Sequence, residues 1–132
     1  MRYVVDTHVL LWYVQDHPAL STEADEVLSN PSSELFLPAV VLMEACWIVE
    51  AGKTSIQSPR ALLEAIDDDA RFSYIPIDRE MIDISITLTS IKEIHDRLIV
   101  ATTLSLRKVD PSIALITKDQ AITASGLVPV IW

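Results

Sequence analysis

Short runs of β-branched and other apolar residues recur along this chain, and a stretch of helical character follows each of them. Arg2 to Val5 reads as a strand and His8 through Val14 as a helix, closed by the turn signal Asp16-His17-Pro18. Ser21-Thr22 is an N-cap pair, with Asp25 completing a capping box, for a second helix that stops before Asn30-Pro31. Glu34 to Leu37 is a short strand. Pro38, tolerated in a first helical turn, introduces a helix from Ala39 to Ala51 that Gly52 ends. Ser58-Pro59 starts another helix, to about Ile66, and Phe72 to Ile77 is a third strand, after which Asp78 caps a helix towards Leu88. His95-Asp96 opens a helix to about Lys108, Asp110-Pro111 is a turn, and Ile113 to Thr117 is a buried strand. A short helix from Gln120 to Ala124 and a closing strand from Val128 to Ile131 complete the chain. This alternation predicts an α/β fold on a mostly parallel sheet. Such a sheet is covered on both faces, which agrees with 50% hydrophobic residues and a mean hydropathy of +0.33.

At 132 residues the expectation is one domain, residues 1–132, without repeats or low-complexity tracts. The lone Cys46 excludes an internal disulfide and fits a reducing compartment. Asp6 interrupts the apolar N-terminus before a signal-peptide core could form. The apolar run from Leu35 to Met43 contains Pro38 and is too short to span a bilayer. These features lead to the expectation of a cytoplasmic protein without membrane association. The net charge of −9 argues against loose nucleic-acid binding, which relies on Lys and Arg neutralising phosphates, but it is compatible with phosphates met through bound cations.

The positions of the acidic residues carry more information than their number. Asp6 follows the first strand and Asp119 lies just past the strand ending at Thr117. Ligands of open α/β sheets bind outside the carboxyl ends of the strands, so both residues are expected in one crevice. Glu44 stands inside the apolar helix Val40-Val41-Leu42-Met43-Glu44-Ala45-Cys46-Trp47-Ile48-Val49, where a carboxylate is costly unless paired, coordinated or turned to a wet pocket. Asp96 starts a helix whose following turns are also apolar. Oxygen-only ligands, with no cysteine or histidine cluster, select Mg²⁺ or Mn²⁺ over Zn²⁺. Carboxylates gathered in one pocket raise one another's pKa, and dications relieve the repulsion. Two such ions about 3.5–4 Å apart can activate water and stabilise the leaving oxygen of a phosphodiester. The pattern points to phosphodiester hydrolysis.

Asp6-Thr7-His8, Glu44 in its apolar helix, His95-Asp96-Arg97-Leu98-Ile99-Val100-Ala101 and Thr117-Lys118-Asp119 together resemble the PIN-domain nucleases, and among them the VapC toxins of toxin–antitoxin pairs. The resemblance covers essentially the whole chain. It implies metal-ligating, catalytic roles for Asp6, Glu44, Asp96 and Asp119, with Thr7, Thr117 and Arg97 as supporting residues. It further implies a three-layer α/β/α sandwich around a sheet of four to five strands, Mg²⁺ or Mn²⁺ as cofactor, endonucleolytic cutting of RNA, a homodimer and a VapB-type antitoxin. Where many relatives carry a proline-aromatic pair before the third acidic residue, this chain has Ile94-His95, and its Val109-Asp110-Pro111-Ser112 connection is less glycine-rich.

Simpler roles stand beside these. Asp6, Asp96 and Asp119 each suit a helix cap, and Arg97 suits an ion pair as well as it suits a phosphate. Asp67-Asp68-Asp69 reads as a solvated turn, Cys46 as a small hydrophobe, and Trp12 and Trp47 as core or dimer-interface groups rather than base-stacking platforms. His8 and His95 adjoin the acidic positions and suit structural roles. A receiver-type signalling domain needs an adjacent acidic pair after strand one, and a haloacid-dehalogenase-like phosphatase needs Asp-x-Asp; Asp6-Thr7-His8 supplies neither. A non-catalytic PIN-like interaction module is the remaining alternative, and the intact acidic set weighs against it.

Overall fold

The alternation read from the sequence folds into one five-stranded sheet in which every pairing is parallel. The computed structural model describes residues 1–132. In chain order the elements are β1 (Arg2–Val5), α1 (Thr7–Val14), α2 (Thr22–Ser29), β2 (Glu34–Pro38), α3 (Ala39–Glu50), α4 (Pro59–Asp67), β3 (Phe72–Ile75), α5 (Arg79–Ser85), α6 (Ile94–Arg107), β4 (Ala114–Ile116), α7 (Gln120–Ser125) and β5 (Val130–Ile131). The helices and sheet form an α/β/α sandwich.

The strand order is β3-β2-β1-β4-β5. From β1 the chain steps outward to β2 and β3, then returns across the sheet to β4 on the other side of β1. The topological switch point, where a crevice opens at the carboxyl ends of the strands, therefore lies between β1 and β4. Val4 pairs with Phe36 on one side and Leu115 on the other, which makes β1 the middle of the sheet. Val4, Val5, Leu115 and Ile116 are completely buried, as strands sandwiched between helical layers must be. They belong to one continuous core that also takes in Leu10, Val41, Ala45, Ile99 and Val100 from the covering helices.

Local chemistry sets most boundaries, and it also explains the departures from expectation. Ser21, not Thr22, caps α2 through Ala24 N–H, so Asp25 falls one residue beyond the capping-box position. Pro38 ends β2 and stands at the N-cap of α3 instead of in its first turn. β3 stops at Ile75, before Pro76, which offers no N–H to a ladder. Asp78 caps α5 as expected, but that helix ends at Ser85 instead of nearing Leu88. Helix α6 begins at Ile94, because Glu93 caps it by accepting the Asp96 N–H at 2.9 Å. β5 is only Val130–Ile131, shorter than the run from Val128 suggested.

The acidic run at 67–69 is more than a solvated turn. Arg71 donates to both carboxylate oxygens of Asp69 (2.9 and 2.7 Å), to the carbonyls of Leu28 and Asn30, and to the Tyr13 hydroxyl. One guanidinium thus ties α1, the end of α2 and the start of β3 together. Trp47 is 65% exposed and Trp12 partly so, which places neither in the buried core. Cys46 is partly buried and packs against the core.

Candidate functional site

Asp6 leaves the end of β1 in extended conformation, with φ −77° and ψ 162°. One carboxylate oxygen accepts the Thr7 N–H at 2.7 Å, and the other accepts the Thr117 hydroxyl in a short hydrogen bond. The Thr117 oxygen in turn accepts the Asp119 N–H at 3.0 Å. Asp119 caps α7, accepting from Ile122 N–H at 2.9 Å. The carboxyl ends of the two central strands, 111 residues apart in sequence, are thereby latched through a single threonine hydroxyl. Thr7 is buried, and its hydroxyl has no hydrogen-bond partner.

The cleft at this latch has a volume of about 500 Å³, and Asp6, Glu44, Asp96 and Asp119 all line it. All four acidic positions singled out from the sequence therefore meet. Glu44 reaches the cleft from the middle of α3 and Asp96 from the first turn of α6. The carboxylate of Asp96 accepts no hydrogen bond from the protein, so the capping role available to it is taken by Glu93 instead. Glu93 is a fifth carboxylate in the wall, and sequence reasoning missed it. The missed signal was its place three residues before Asp96, the spacing of an N-cap to N3. Its second oxygen lies 2.6 Å from His95 Nδ1, which is also 3.7 Å from Glu44. Lys118 is the only lining residue with a permanent positive charge. Arg97 is outside the wall: its guanidinium donates to the Ile91 carbonyl and makes no ion pair with Asp96.

Electrostatics follow from this crowding. Burial, with the charges of Asp119, Asp6, Glu93 and Glu44 adding to it, pushes the Asp96 carboxyl up to about 7. Burial also raises Asp6, although the Thr117 and Thr7 donors pull the other way. Glu93 moves down: burial opposes its ionisation, but the backbone N–H groups of His95 and Asp96 and the His95 ring outweigh it.

No three of these acidic or histidine side chains converge closely enough to hold an ion as they stand. The donor set nonetheless suits one. It consists of oxygen atoms, it faces a wet cleft, and it carries more negative charge than Lys118 offsets.

An all-parallel α/β sandwich with an acidic crevice at its switch point defines the class. The chain belongs to the PIN domain family, whose model matches residues 3–124. A search of curated proteins returns no match. Among solved structures, the chain is similar to the Mycobacterium tuberculosis toxin VapC20, described as sarcin-ricin loop cleaving, at a TM-score of 0.69 and 15% identity over 98% of this chain and 99% of that one. VapBC2 from Rickettsia felis, solved on a DNA fragment from its promoter, gives a TM-score of 0.69 and 14% identity over 98% and 97%. FitAcB from Neisseria gonorrhoeae gives 0.65 and 16% over 97% and 95%. At these identities the likeness is one of fold.

Proposed function

We propose that this chain is a single-domain, Mg²⁺- or Mn²⁺-dependent endoribonuclease, the toxin of a VapBC-type pair. The observation that carries the reading is Asp96, a half-buried carboxylate without a hydrogen-bond donor, facing four further acids in one cleft. A fold gains nothing from that arrangement, since each neighbour makes ionisation of the next more costly. A cation binder does gain from it, and phosphodiester hydrolysis is chemistry that such a site supports.

In this reading Asp6, Glu44, Asp96 and Asp119 would hold the ions. When bound, divalent ions supply activation of the attacking water and charge stabilisation at the leaving oxygen. The chain's own part is positioning. Thr117 and the Thr7 N–H fix the Asp6 carboxylate, while Glu93 fixes the start of α6 and hence the height of Asp96 above the sheet. Thr7, with its unpartnered buried hydroxyl, and Thr117 are the supporting residues; Arg97 acts only through the backbone it holds at Ile91.

RNA as substrate is supported by the similarity to VapC20, and a VapB-type antitoxin by the similarity to VapBC2. Exposed Ile82 on α5, Ile86 just past its end and Ile94 on α6 would give a homodimer its apolar surface. No helix is long and apolar enough to cross a membrane, which is compatible with action in the cytoplasm. The test is cleavage of single-stranded RNA in Mg²⁺ or Mn²⁺. Cutting that stops in EDTA and in Asp6→Asn, with the fold unchanged by circular dichroism, is the expected result. Wild-type rates in Asp6→Asn, or indifference to EDTA, would sink the assignment.

A further inference from the structure

Beside the acidic cleft lies a second hollow of about 360 Å³, walled by His8, Trp12, His17, Trp47, Lys53 and Thr54 among others. None of its lining residues is acidic, although the chain carries 19 acidic residues. His8 and Trp12 line both hollows, so the two adjoin. Lys118 and Trp132 line a third hollow, which shares Lys118 and Gln120 with the cleft and has no acidic side chain in its wall. Trp12 is the hub: Lys118 Nζ sits 5.4 Å from its ring, and the Trp132 ring is 5.9 Å away. The exposed imidazole of His17 lies 6.1 Å from the Trp12 ring with only 27° between the planes, which marks a place where a planar heterocycle fits.

We propose that this groove carries single-stranded RNA into the cleft, with one unpaired base stacked on Trp12 and flanking phosphates met by Lys53 and Lys118. The proposal rests on the ribonuclease reading and gives its substrate a place. A cleft ringed by carboxylates repels the phosphates of the strand it is to cut. The strand must therefore be anchored outside the cleft, by cations for its backbone and by an aromatic face for its bases. Those groups occur here side by side: Trp12 and Lys118 stand in the rim of the acidic cleft itself, and Lys53, His17 and Trp47 continue from it along a wall without acids. A basic protein segment would be drawn to the carboxylates themselves and would find only Lys53, His8 and His17 as charged or ionisable partners in this groove.

The experiment uses single-stranded oligoribonucleotides of about eight nucleotides, a span such grooves track, with 2-aminopurine at one position. Binding is followed in Ca²⁺ and cleavage separately in Mn²⁺. Wild-type protein is expected to quench the probe, and Trp12→Leu to lose the quench and bind about five- to 150-fold more weakly. Trp12→Phe should recover most of the affinity, which guards against a merely misfolded Trp12→Leu. An abasic nucleotide in place of the probe should make wild type and Trp12→Leu bind alike. Lys53→Ser should lower the salt dependence by about 0.7 in the slope of log K against log salt, one phosphate's share on a single strand. Cleavage without quenching overturns the groove and spares the nuclease; quenching without cleavage does the reverse. If Trp12→Leu leaves RNA binding intact but releases a co-expressed protein partner, the groove belongs to that partner and the proposal is wrong.

Discussion

Asp69 and Asp96 are both half-buried aspartates, and their neighbours drive them in opposite directions. Asp69 receives the Arg71 side chain through two hydrogen bonds, which hold its carboxyl below the usual range. Asp96 receives no donor, and burial together with four acidic neighbours raises it to about 7. The first arrangement joins three elements of the fold. The second works against the fold, and such a cost is tolerated where a ligand of opposite charge is to be bound. Of two similar acidic positions, one serves the structure, and on the proposed function the other serves chemistry.

That contrast can be broken most sharply at Asp96 itself. Asp96→Asn is expected to lower RNA cleavage by about 100-fold or more, the scale of losing one charge contact in a transition state, while the melting temperature holds or rises. A rate within a factor of a few of wild type would put Asp96 among the structural acids. Arg71→Ala does the opposite: it should cost about 2–3 kcal/mol in urea unfolding, because a charged hydrogen-bond hub disappears, and leave the cleavage rate per folded molecule unchanged. Adding Mg²⁺ at about ten times its Kd should raise stability by roughly 1.4 kcal/mol in wild type and by less in Asp96→Asn, read from thermal melts.

The smallest effect is that of pH. Between its ordinary value and about 7, folded Asp96 keeps a proton that the unfolded chain has lost, so this group's contribution falls as pH rises through that window. The Asp69 contribution is already complete there and is lost only as pH falls through its lowered pKa. Metal-free protein should therefore melt lower at about pH 8 than at about pH 5, and Asp96→Asn should flatten the difference. A wild-type curve that rises over this range would mean that other groups dominate.

The parallel sheet and the placing of four acids around one cleft could be read from the sequence because they depend on local rules. Strand runs end at turn signals, Asp6 and Asp119 sit just past strand ends, and Glu44 interrupts an apolar helix. What escaped depends on partners far away in the chain. Thr117 was expected beside the site, but that its hydroxyl holds Asp6 follows only once β1 and β4 pair, and Arg71 finds Tyr13 only after β3 and α1 are placed. Glu93 escaped for a different reason. Glutamate is a weak N-cap in general, and here its longer side chain both caps α6 and enters the cleft. Arg97 beside Asp96 looked like a functional cation, yet helix geometry turns it towards the Ile91 carbonyl.

The strand order has a consequence for how this molecule comes into being. β1 precedes every other strand in the chain, but it lies at the centre of the sheet and waits for β4 on one flank. Until residues 114–119 emerge from the ribosome, Asp6 lacks the Thr117 latch, and the Asp119 wall of the cleft does not exist. A chain cut short before β4 therefore has neither the latch nor the completed cleft. If the chain is the toxin proposed above, it would stay harmless for most of its synthesis, leaving that time for a guard to be made.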